Sequence, residues 1–299
     1  MDSINAVLKY ILILISFISF SSYGQYRKSR QKISKNSMAK GTLYAYWGYN
    51  RSAYSSSNVY FKAPGANFTL YGVQAKDRPS LNFSEYINPS TFTVPQFNFR
   101  IGYNFKNYWN ISLGYDHMKY VMIHGPNYVL SGFTESGFNQ SDNLYGNYTN
   151  HDITSEENTF HYENSNGLNY IRLELTRIRN IIRNKKDNFT FSLLGGLSAG
   201  GIVSFNDFTF NGEKFTATPS LSGFGASMHG GMRFEFFKHV FLQLNSGGGF
   251  LYQSHVKLIP YSFDAFAKQH FFYGDLSAVL GVLLYIRPVN NCNTCPHWY

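Results

Sequence analysis

Between Gln96 and Phe105 the chain alternates strictly. Phe97, Phe99, Ile101, Tyr103 and Phe105 fall on one parity, and Gln96, Asn98, Arg100, Gly102 and Asn104 on the other. A period of two is the mark of a β-strand with two unlike faces. Such a strand either hides its apolar face in a water-soluble core or turns it outward to hydrocarbon and lines a filled barrel with the polar face. The pattern recurs in eight segments, near 41–50, 91–106, 109–124, 167–183, 188–204, 219–237, 239–255 and 268–287. Each supplies the roughly 9–11 residues that a tilted strand needs to cross a bilayer. Composition favours the barrel. The chain has 28 Phe, 24 Tyr and 26 Gly, yet only 14% of its residues are charged, against about 25% in ordinary domains. A secreted β-sandwich is the structural rival.

The connections between segments sort by length. Those at 105–109, 184–188 and 237–240 are tight, whereas 51–90 and 125–167 are long and polar. Short turns on one side and long loops on the other is the asymmetry of outer-membrane barrels. The expected fold is therefore all-β, an up-and-down antiparallel transmembrane barrel of about eight strands spanning 41–287. Both chain ends then lie in the periplasm, and loops 51–90 and 125–167 lie outside the cell. Alternation at Val59–Phe61 and Phe68–Val73 leaves open a count of ten.

The ends carry their own signals. Residues 1–24 show the short, Lys9-bearing start, apolar run and small residues of a secretory signal peptide. The apolar run is too short for a spanning helix, which needs about 20 residues. Residues 25–40 hold Arg27, Lys28, Arg30, Lys32, Lys35 and Lys40 with no acid, part of a formal net charge of +9. This basic arm reads first as solvated chain and second as a contact for anionic head groups or an acidic partner. Nothing suggests nucleic acid. The tail 288–299 carries the two cysteines, Cys292 and Cys295. A local disulfide or an idle thiol pair is expected there ahead of a metal site with His297.

Gly281, Leu284 and Ile286 in the last segment resemble the C-terminal signal that bacterial outer-membrane proteins present to their insertion machinery. The whole chain is similar to small outer-membrane barrels typified by the OmpA transmembrane domain, OmpX and the lipid A-modifying barrels. Its Asn-, Tyr- and Phe-heavy composition resembles that of Bacteroidota examples. The resemblance implies the outer membrane of a Gram-negative bacterium, with lipid and lipopolysaccharide as surroundings.

Parity assigns the ionisable residues Arg100, Asp116, Arg172, Glu174, His229, Arg233, Glu235 and Asp275 to the barrel interior. Unpaired charges there are costly, so a salt-bridged plug is expected. The glycines at 195–201, 223–231 and 247–249 read as relief for bulky neighbours before they read as an acyl-chain cavity. Ser227 and His229 share a face, with Glu235 further along, the minimum a Ser–His hydrolase would want, but by parity they point inward. No phosphate loop, dinucleotide fingerprint or zinc-protease motif is present, and no catalytic, cofactor or metal residues are assigned. The expected function is a structural or partner-binding barrel, with a membrane or periplasmic protein as the partner. The alternatives are a lipid A- or phospholipid-modifying enzyme, and a narrow channel or hydrophobic-solute transporter.

Overall fold

A computed structural model describes residues 36–286 apart from 89, 92, 136–145, 159, 185–187 and 211–212. In chain order the elements are β1 (Thr42–Tyr54), β2 (Ser57–Ala63), β3 (Ala66–Val73), β4 (Ala75–Lys76), a one-turn helix α1 (Ser84–Ile87), β5 (Phe97–Lys106) and β6 (Trp109–Met122). There follow β7 (Asn127–Thr134), β8 (Gly146–Thr154), β9 (Phe160–Arg183), β10 (Phe189–Phe210), β11 (Glu213–Phe236), β12 (Val240–Lys257) and β13 (Phe266–Tyr285). Eight of these form a ring in the order β1-β5-β6-β9-β10-β11-β12-β13, closed by antiparallel pairing of β13 with β1. Each ring strand overlaps one of the eight alternating segments, but β5 begins later, at Phe97, and β9, β10 and β11 extend further outward, to Phe160, Phe210 and Glu213.

The register fixes the shape. Starting at Leu43, the pairs run through Tyr103, Ile111, Leu175, Leu197, Met228, Gly248 and Gly274, and arrive at Ala53, ten residues further along β1. With strands about 4.8 Å apart and a rise of about 3.3 Å per residue, that stagger tilts the strands by about 40°. An eight-stranded ring of this tilt leaves room only for side chains.

The outward positions form an apolar belt: Phe99, Ile101 and Tyr103 on β5, Leu173 and Leu175 on β9, and Leu276, Leu280 and Leu284 on β13, all exposed. From Phe272 to Leu284 the tilted β13 rises roughly 30 Å, close to the hydrocarbon thickness of a bilayer. Every outward residue of β13 from Phe272 to Leu284 is uncharged. Around the ring, cations and histidines enter toward the two ends of this span, with Arg177 and Arg179 at one and Arg51, opposite Leu276, with His117, Lys119 and Lys268 at the other. Burying that face in a sandwich core is excluded, because the Phe99–Ile101 face lies on the outside of a closed ring.

At one end the hairpins are tight. Phe237 and Lys238 both take positive φ, 53° and 66°, the turn geometry whose twist matches the flanking strands. The first described residues also lie at this end. Tyr108 donates its N–H to Met38 O at 2.8 Å, and Asn104 Nδ2 donates to Ser37 O at 2.6 Å. Met38 is 1% exposed and packs on Ile178 and Leu194. Residues 36–40 of the segment expected to be an open basic arm are thus folded against the barrel floor, because Met38 finds an apolar slot there. Residues 1–24, the basic cluster up to Lys35, and Cys292, Cys295 and His297 lie outside the described residues.

The other end departs further from expectation. The ranges 51–90 and 125–167 are not plain loops: they hold the end of β1, β2, β3, β4, α1, β7, β8 and the start of β9. Four of these strands make an outer sheet, β2-β3-β7-β8, joined to the ring where Phe266–Lys268 pairs with Lys62–Tyr60. The hairpin at 57–73 therefore does not enlarge the ring, which stays at eight strands. Val59, Phe61, Phe68 and Leu70 from this sheet pack against Phe160, Tyr162 and Phe208 on the long ends of β9 and β10. That core closes the mouth of the barrel.

Candidate functional site

The interior fills in layers. Halfway up, Arg100 and Arg172 lie in register with Gly114 between them. A Cβ at Gly114 would stand 2.5 Å from Arg100 Nε, so glycine here is what lets the guanidinium lie flat on the wall. Arg100 Nη1 is 2.7 Å from Asp116 Oδ1, and Arg100 Nε is 2.9 Å from Glu174 Oε1. Arg172 Nε is 2.9 Å from Asp116 Oδ2 and 3.0 Å from Glu174 Oε1. Each charge therefore touches both opposite charges, in a closed quartet whose side chains are 2–5% exposed. Ser112 Oγ donates to Glu174 Oε2 at 3.0 Å, Asn98 Nδ2 donates to Asp116, and Arg172 Nη1 donates to Ser227 Oγ at 2.8 Å. The net charge of the quartet is zero, and its remaining lone pairs are largely filled, as a buried ionic group requires.

The other four residues assigned to the interior also face inward, but not into the quartet. Arg233, nearer the tight-turn end, donates from Nε to Gln243 Oε1 at 2.6 Å, and its guanidinium lies 4.2 Å over the Phe241 ring. Glu235 borders a small hollow with Ser37, Asn180 and Arg183. His229 Nε2 meets Thr176 Oγ1 at 3.0 Å. Asp275 makes no ion pair within 4.0 Å among the described residues. Ser227 Oγ bonds to Ser198 Oγ at 2.7 Å and to Arg172. Ser227 and His229 thus take separate partners, and no nucleophile–base pair forms.

A second polar constellation lies at the closed mouth. Ser155 Oγ meets His124 Nδ1 at 2.9 Å; His124 Nε2 meets His161 Nδ1 at 2.8 Å; His161 Nε2 meets Glu163 Oε2 at 3.0 Å. Arg78 Nη1 reaches both Glu163 oxygens at 3.0 Å, and Ser165 Oγ donates to Oε1 at 2.5 Å. This relay edges an open cleft of about 590 Å³ that is lined by Lys119, Lys214, Glu157 and Asp207 as well. Burial raises the Glu163 carboxyl, but hydrogen bonds from His161 and Ser165 and the His161 and Arg78 charges bring it below its ordinary value. Burial lowers His124, and the neighbouring His161 lowers it further, so the relay is built for neutral imidazole at His124. The signal for it was available in the alternation of His161, Glu163 and Ser165 on one face of β9. In sequence these residues fall within 125–167, whose polar composition reads as a loop. Among the described residues no group of three or more His, Cys, Asp or Glu side chains could hold a metal ion.

No protein-family model matches the chain, and no curated protein matches it. Solved structures similar to it include several outer-membrane proteins. The outer-membrane protein OprG from Pseudomonas aeruginosa aligns with TM-score 0.39 and 10% identity, over 83% of this chain and 97% of that one. The outer-membrane protein AlkL aligns with TM-score 0.37 and 8% identity, over 89% and 99%. Ail, the attachment invasion locus protein of Yersinia pestis, aligns with TM-score 0.30 and 11% identity, over 82% and 99%. These are remote similarities; the eight-stranded ring stands on its own hydrogen-bond registers.

Proposed function

We propose that this chain is an outer-membrane β-barrel protein of a Gram-negative bacterium with a structural or partner-binding role, carried by the folded sheet that closes its outer mouth. The observation that carries the reading is the apolar belt around a closed ring, with cations toward both its ends. Lipid, including lipopolysaccharide at the outer edge, is the surrounding that such a belt demands. A signal peptide over residues 1–24 and periplasmic chain ends belong to the same reading. The tight turns and the ends of the described chain lie together, as Ile286 N–H bonding to Gly41 O and Gly41 N–H to Asn104 O indicate.

The filled interior speaks for structure rather than transport. Three barriers lie in series: the Met38, Ile178 and Leu194 floor, the arginine–carboxylate quartet, and the aromatic core under the outer sheet. A lipid-modifying enzyme finds less support, since Ser227 and His229 point inward and serve other bonds. The deciding experiment pairs membrane fractionation with planar-bilayer recording of the purified, folded protein. Recovery in the outer-membrane fraction with no discrete conductance steps is expected. Recovery in the soluble periplasm would end the membrane reading, and regular single-channel steps would end the structural one.

A further inference from the structure

The segment between β4 and β5 does not stand clear of the barrel. It returns to the outer wall beside β1 and lies against a position that faces the lipid side. Tyr49 is such a position, one step of the same face beyond Trp47. The Tyr86 ring, on α1, meets the Tyr49 ring edge-on at 4.8 Å between centroids. Tyr49 OH donates to Tyr86 O at 2.5 Å, and Arg51 Nη2 donates to Tyr86 OH at 2.9 Å. A hollow of about 400 Å³ opens beneath, lined by Tyr49, Arg51 and Tyr86 together with Leu244, Leu276 and Ala278, three outward residues of the belt.

Having reached the wall, the segment does not use it to cover its own apolar side chains. Leu81 is 98% exposed, Phe83 73% and Ile87 64%. The outer sheet a short way along the chain buries Val59, Phe61 and Leu70 almost completely, so this fold does conceal apolar groups where it can. The polar groups of the segment show the opposite economy. Ser80 Oγ donates to Glu85 at 2.5 Å, Tyr86 OH to Ser80 O at 3.0 Å, and Asn82 Oδ1 accepts from both the N–H and the hydroxyl of Ser84. Polar atoms bonded among themselves and apolar groups facing out is the arrangement a segment needs in the boundary of a bilayer, where backbone and side-chain polar groups lose water.

We propose that the segment around α1 is an interfacial anchor, with Leu81, Phe83 and Ile87 inserted among the acyl chains of the outer leaflet beside β1 and β13. Its occupant is lipid and not a protein partner, because the patch is continuous with the belt through Tyr49, Leu276 and Ala278. The inference rests on the reading of that belt as membrane-embedded.

The test uses the full chain with Cys292→Ser and Cys295→Ser, refolded into phosphatidylcholine vesicles with and without a lipid carrying a doxyl quencher near the head of its acyl chain. Single cysteines replacing Leu81, Phe83 or Ile87 carry an environment-sensitive fluorophore. These side chains are exposed, so the replacements leave packing intact. Leu280→Cys reports the belt, and Glu213→Cys, at an exposed outer tip, reports water. The anchor predicts blue-shifted emission at 81, 83 and 87 and at least twofold quenching by the doxyl lipid, with little quenching by aqueous iodide. If position 280 is quenched by lipid while 81, 83 and 87 behave like position 213, the anchor is wrong and the barrel reading survives. If position 280 itself escapes lipid quenching, the membrane reading fails and the anchor with it.

Discussion

The quartet makes a quantitative prediction about stability. Glu174→Gln keeps the shape of the side chain and its capacity to accept from Ser112, so packing is unchanged. What changes is charge: Arg100 and Arg172, each with a contact to Glu174 within 3.0 Å, are left to share Asp116. Removing one partner from a buried ionic group costs about 3–5 kcal/mol, because a desolvated charge is stranded. The Glu174 side chain is 5% exposed, so little water is at hand to soften that cost. At a urea dependence of about 2 kcal/mol per molar, a loss of about 3 kcal/mol moves the unfolding midpoint down by about 1.5 M. Adding Arg100→Met restores neutrality, leaving Arg172 and Asp116 paired at 2.9 Å. The double variant should then be more stable than the sum of the two single losses by about 2 kcal/mol. The assay is urea unfolding in vesicles, followed by intrinsic fluorescence and by the heat-dependent shift in gel mobility. A Glu174→Gln loss below about 1 kcal/mol, or additivity of the two substitutions within about 0.5 kcal/mol, would refute the closed-quartet account.

Three further outcomes follow from the packing. Gly281→Ala would place a Cβ 2.1 Å from Phe241 Cζ and should cost about 1–3 kcal/mol by overpacking; Gly230→Ala, whose nearest contact is 3.7 Å, should stay within about 0.5 kcal/mol of the parent in the same urea assay. Phe61→Ala, at a ring 1% exposed and 5.1 Å from Phe160, should cost the outer sheet about 3–5 kcal/mol and open it to protease while the ring keeps its resistance to detergent; equal loss in both would argue against a separately packed outer sheet. The His124 relay should weaken in acid: its folded value lies below the ordinary one, through burial and then His161, so its contribution is present above the unfolded value of about 6.5 and is lost as pH falls through the lowered folded value. Ser155, His161, Glu157 and Lys76 are the other groups acting on it; hydrogen exchange around Phe160–Glu163, corrected for intrinsic rates, should rise between pH 7.5 and pH 5 and should rise less in His124→Gln.

The ring was legible because its two faces meet such different surroundings. In β5 the contrast between Phe99 or Ile101 and Asn98 or Arg100 survives any local propensity, and one parity choice settles every side chain in the strand. Parity also places the eight interior ionisable residues, but it says nothing of height. Height comes from register: Arg100, Gly114 and Arg172 share a row, and the carboxylates of Asp116 and Glu174 project into it from the rows to either side. Arg233 and Glu235 lie nearer the tight-turn end, with Arg233 over the Tyr44 and Phe241 rings, so equal parity did not bring them into the quartet. The outer sheet was less legible for a different reason. Its strands are short, 7–9 residues in β2, β3, β7 and β8, and turn-forming Asn, Ser and Gly interrupt their alternation. Their burial depends on partners far along the chain, as when Phe61 meets Phe160 and Phe208. A local pattern cannot announce a core assembled from such distances, and the His124–His161–Glu163 relay forms where the β6–β9 ladder continues outward to Val121 opposite Glu163. The apolar outer belt is a property of single strands and is written in each of them; the closed mouth is a property of their meeting.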